Sequence, residues 1–126
     1  MRCLHLHGDD DGETHLTEIQ FPVRETHAGV VRGVSDIPAV TMGMGAFVER
    51  KPDVGMHHAP KPQFLVVLQG ELELLTSLDQ RELLHPGDVL LADDIDTKGH
   101  ISRDVGEEPL MLMAIGIDPA WELPDT

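Results

Sequence analysis

Residues 55–70, GMHHAPKPQFLVVLQG, place the adjacent histidines His57 and His58 and the amide of Gln63 ahead of an apolar run. Phe64-Leu65-Val66-Val67-Leu68 is bounded by Pro62 and Gly70. An apolar run this short between two breakers reads as a strand buried on both faces. A partner stretch follows at 86–100, PGDVLLADDIDTKGH. There a Pro-Gly-Asp turn enters a second buried strand, Val89–Ala92, an acidic segment follows, and His100 opens another strand.

The flanking sequence repeats this grain. Residues 1–7 alternate, with Cys3, His5 and His7 on one side and Leu4 and Leu6 on the other. His5, His7 and His15 read either as polar positions of an edge strand or as a metal cluster, and the first reading is preferred. The turn at Asp9–Gly12 leads to a strand over 14–23, and it lacks the ligand spacing of a calcium loop. The stretch around Glu25-Thr26-His27 reads as a loop, 29–34 as a short strand and 35–38 as a turn. Over 39–49, Val40, Met42, Met44 and Ala46 share one face, and glycines at 43 and 45 disfavour a helix. Further short strands are expected at 72–76, 81–84, 100–103 and 110–117, with one brief turn in 119–126. Eight to eleven short strands punctuated by turns predict an all-β antiparallel sandwich or barrel with little helix.

Composition narrows the function classes. The 126 residues are enough for one domain, 1–126, with one sizeable core. A formal net charge of −14 repels nucleic acid and anionic membrane. Cys3 is the only cysteine, so no intrachain disulfide forms, and its place in the first strand reads as packing. The opening MRCLHLHGDDDG has no apolar core of a signal peptide, and the longest apolar run is Leu110–Ile115. A soluble, cytoplasmic protein is expected.

With both stretches in view, the chain resembles a small single-domain cupin. The family's first motif runs glycine, His-x-His, glutamate, then glycine seven residues later, and Gln63 and Gly70 keep that last interval. Its second motif has a Pro-Gly-Asp entry, an apolar run and a histidine on the next strand, which Pro86-Gly87-Asp88, Val89-Leu90-Leu91 and His100 supply. A narrower likeness, through His57-x-Ala59-Pro60-x-x-Gln63, Asp94-x-x-x-Lys98-Gly99-His100 and Asp11–His15, is to a group of small bacterial cupins without an assigned activity. The resemblance implies a jelly-roll (double-stranded β-helix) barrel with a cavity between its sheets. Core motifs fall at 55–70 and 86–103.

The resemblance also implies a divalent metal, zinc, nickel, iron or manganese, held by His57, Gln63 and His100 with His58 as a fourth candidate. Three departures bear on it. The histidines are adjacent, so on a regular strand they point to opposite faces. Gln63 offers a neutral carbonyl oxygen where the family has a carboxylate. An acidic insertion, Asp94-Ile95-Asp96, precedes His100, and Asp94 or Asp96 could serve as a ligand or as the group orienting His100. Met42, Met44, Met111 and Met113 recur at strand spacing, as lining for an apolar ligand or as ordinary core. Lys98 and Arg103 read as solvated strand ends or as cations steering an anionic substrate. Two readings follow: a metal-dependent oxygenase or isomerase acting on a small molecule, or a binding barrel that holds a small ligand without metal. A homodimer is expected from the resemblance and from open sheet edges.

Overall fold

The computed structural model describes residues 2–19, 25–27, 30–32, 39–46 and 56–123. Among them there is no helix. The strands are β1 (Cys3–Gly8), β2 (Thr14–Ile19), β3 (Glu25–His27), β4 (Val30–Arg32), β5 (Ala39–Ala46) and β6 (Gln63–Gln69), then β7 (Leu72–Thr76), β8 (Arg81–Leu84), β9 (Val89–Asp93), β10 (His100–Asp104) and β11 (Met111–Ile117). They form a six-stranded sheet in the order β2-β1-β9-β6-β11-β5, a three-stranded sheet β10-β7-β8 and a β3-β4 hairpin. The fold is all-β, of the jelly-roll type.

Alternation along each strand explains the two layers. Leu4, Leu6, Leu16, Val67, Leu90 and Ala92 project from the large sheet onto Leu72, Leu74 and Leu84 of the small one. Several of these leucines are fully buried, each contributing roughly 1.5–3 kcal/mol. The opposite face of the large sheet carries Cys3, Phe64, Val89, Leu91 and Ile117, and the chain beyond β11 covers it with Trp121 and Leu123. Phe64 and Trp121 meet edge to face at 6.0 Å. This sheet is buried on both faces at its centre, which is why β9 and much of β6 read as unbroken apolar runs.

Three local readings change. Leu68 is 41% exposed, because β9 pairs with β6 only from Gln63 to Val66 and the cover ends there. Residues 25–27, read as loop, form β3 paired with Val30–Arg32, a pairing that β-branched Thr26, Val30 and Val31 favour. Among the described strand pairs, β1 and β9 alone run parallel, His7 lying beside Asp93, so the sheet is mixed. The expected strand segments 20–23 and 47–49 lie outside the described residues.

Candidate functional site

The two stretches that carry the histidines meet at one backbone bridge. His57 donates its N–H to the His100 carbonyl at 3.0 Å, and His100 returns the bond to the His57 carbonyl at 2.9 Å. Gly99 makes the approach feasible. Its φ of +88° is left-handed, and a Cβ there would lie 2.3 Å from both C and O of His57. Only glycine combines that dihedral with that clearance.

The side chains follow from the bridge. The rings of His57 and His100 lie 4.6 Å apart, tilted by 52°. His57 is exposed and His100 is buried, so the pair spans from surface to interior. Behind His100 sits Asp94, fully buried, its Oδ2 2.6 Å from His100 Nδ1. A carboxylate at Nδ1 calls for an N–H at that nitrogen, which in a neutral ring puts the lone pair at Nε2. The second oxygen, Oδ1, accepts the Ala59 N–H at 3.2 Å, tying the 57–59 segment to the same group. Asp94 is thus placed to orient His100.

The loop between Asp94 and His100 is held from the N-terminal hairpin. The buried Thr14 hydroxyl accepts the Gly99 N–H at 3.0 Å and bonds the Thr97 hydroxyl at 2.7 Å. Lys98 donates its backbone N–H to the Gly12 carbonyl at 2.8 Å, and its ammonium pairs with Glu13. That pairing lowers the Glu13 carboxyl below its ordinary range and raises the Lys98 ammonium. Arg103 pairs with Glu73 at 3.3 Å. Both cations sit against carboxylates, which favours the strand-end reading over steering. Thr14 had no signal in the sequence beyond opening a strand after an Asp-Gly turn; its role needs two segments 85 residues apart.

His58 is exposed, with Nδ1 3.0 Å from its neighbour's carbonyl at Ala59. Gln63 is half-buried on β6, paired in register with Ala92 and Gly116. Asp96 is exposed at a left-handed turn, φ 57°. Met42 on edge strand β5 is 73% exposed and Met111 is 37% exposed, whereas Met113 is half-buried. The side chain of Met44 lies outside the described residues.

No model of a known protein family and no curated protein matches the chain. Two imidazoles within sharing distance, one backed by a carboxylate, are the donors that zinc, nickel or iron takes, and they amount to two of the three or four protein ligands such a centre needs. No three His, Cys, Asp or Glu side chains among the described residues gather to hold an ion. Among the described residues the candidate for a third protein ligand is an amide oxygen, that of Gln63.

Proposed function

We propose that the chain is a small cupin-type barrel protein that binds a small molecule at His57 and His100, through a divalent transition metal that these two and Gln63 would hold. The carrying observation is the buried Asp94–His100 bond, which costs a desolvated carboxylate and aims one imidazole nitrogen beside a second imidazole. The metal, when bound, would supply Lewis acidity toward a carbonyl or hydroxyl oxygen or a place for oxygen. The chain's own part is positional: Asp94 holds the Nδ1 proton, Gly99 admits His57, and Thr14 pins the loop. Oxygenation and isomerisation are the reactions that a site of this kind serves.

Calorimetric titration of zinc into untagged, chelator-stripped protein tests the reading. One zinc per chain is expected, with binding abolished by His57→Ala or His100→Ala, weakened by Gln63→Ala and unchanged by His58→Ala. Affinity falls below about pH 6, where imidazole holds its proton. Absence of binding to the wild type, or binding indifferent to His100→Ala, rejects the metal.

That no three His, Cys, Asp or Glu side chains converge among the described residues favours a second reading, a metal-free binding barrel. Its signature is a thermal shift with small organic ligands that persists after chelation. We further propose that the protein is cytoplasmic and, because β2 and β5 are the edges of the large sheet among the described strands, that it is a homodimer. Sedimentation at twice the 13.9 kDa of one chain is the expected result, and the single-chain mass refutes it.

A further inference from the structure

A second histidine group lies on the other face of the large sheet. His7 faces His15 directly across the β1–β2 ladder, and His5 is two residues along on the same side. The rings of His5 and His7 stack at 4.7 Å and those of His7 and His15 at 5.5 Å. The outer two each have a carboxylate: His15 Nε2 lies 2.6 Å from Asp9 and His5 Nε2 lies 3.3 Å from Asp93. The central ring bonds the neutral hydroxyl of Thr17 at 3.3 Å. The planes lie 29° and 18° apart, face against face, and no three ligands among the described residues could hold an ion. The arrangement suits protons rather than a metal.

We propose that His5, His7 and His15 form a proton-sensitive latch on the β1–β2 hairpin, which acid opens, and whose opening releases the 94–100 segment carrying Asp94 and His100. The charged and titratable groups facing His7 are His5 on its own strand, His15 on β2 and Asp93 on β9, with Asp9 behind His15. A proton on His7 would add charge to a ring stacked between two other imidazoles. Burial and the two flanking imidazoles disfavour that proton, and they outweigh the field of Asp93 and the Gly8 backbone to lower the pKa of His7 from its ordinary 6.5.

The link to the loop is material. Gly12, Glu13 and Thr14 of this hairpin make the contacts that hold Thr97, Lys98 and Gly99, and Asp93 precedes Asp94 in the chain. The latch stands whatever His57 and His100 bind.

Amide exchange on the full chain tests it, at about pH 7.5 and about pH 5.5, with each rate divided by its intrinsic chemical rate. The Gly99 amide should lose protection on acidification, by at most about tenfold per pH unit for a single proton. Amides of the β6–β11 ladder should keep theirs. In His7→Gln the Gly99 change should shrink to less than about twofold. Protection of Gly99 that ignores pH in the wild type, or falls equally in His7→Gln, overturns the latch. Should that variant fail to fold, NMR titration of His7 in the wild type decides, and a midpoint at or above about 6.5 overturns it.

Discussion

Asp94 Oδ2 stands 2.6 Å from His100 Nδ1, and both side chains are shut away from solvent. Asp94 serves two masters there, the imidazole through one oxygen and the Ala59 N–H through the other. Asp94→Ala strands both donors, and breaking a buried pair on one side costs about 3–5 kcal/mol. Asp94→Asn keeps an acceptor but loses the charge, for a smaller cost of about 1.5–3 kcal/mol. Urea unfolding should show this order in its midpoints with an unchanged slope. Equal midpoints for the two variants would show that the carboxylate charge adds nothing.

That relationship was half legible. The acidic insertion ahead of His100 marked Asp94 and Asp96 as candidates to ligate a metal or to orient His100, yet strand alternation cannot choose between residues in a turn. The left-handed φ of Asp96 sends it to the surface, while Asp94, at the strand end, turns inward. The strands themselves were readable, because Phe64–Leu68 and Val89–Ala92 are apolar on both faces and bracketed by breakers. The parallel β1–β9 pair was not, since it joins strands more than eighty residues apart through neither turn nor pattern. Adjacency of His57 and His58 left open whether both would turn to one point; the His57 ring lies against His100, while His58 lies against the Ala59 carbonyl.

Gly99 and Gly87 separate backbone strain from crowding. Both have left-handed φ, +88° and +94°, but a Cβ at 87 meets nothing within 4 Å, whereas one at 99 strikes the His57 carbonyl group. Gly87→Ala should cost about 1–2 kcal/mol, the strain alone. Gly99→Ala should cost more than that and push the 57–58 segment away. Thermal unfolding measures the stabilities, and the His57 ring resonances should move only in the Gly99 variant. Comparable melting for both would mean that the loop yields without effort.

The methionines distinguish lining from surface. Met42 is 73% exposed, so Met42→Ser should change stability by no more than about 0.5 kcal/mol. Leu74→Ala, at a fully buried position between the sheets, should cost about 2–5 kcal/mol. A ligand for the barrel that loses affinity with Met42→Ser, while Leu74 still behaves as core, would restore the methionine to a binding role.

Cys3 supplies a prediction at alkaline pH. Burial pushes its thiol up from 9.0 to about 11, because a thiolate there would lose its water. The folded chain therefore keeps a proton that the unfolded chain gives up near pH 9. Stability from this group is complete below pH 9 and is lost as pH rises through about 11. The raised Lys98 ammonium acts in the same direction, losing its pairing with Glu13 as it deprotonates. The chain has no tyrosine, so no phenol adds to this limb. Cys3→Ala should remove the part of the decline between pH 9 and about 11, no more than about 2 kcal/mol, and leave the Lys98 part in place. Urea midpoints collected across that range in both proteins give the difference directly. Parallel alkaline slopes would mean that the thiol ionises in the fold as readily as in the unfolded chain. Iodoacetamide then supplies the independent check, since a buried Cys3 reacts slowly in the native protein and rapidly after denaturation.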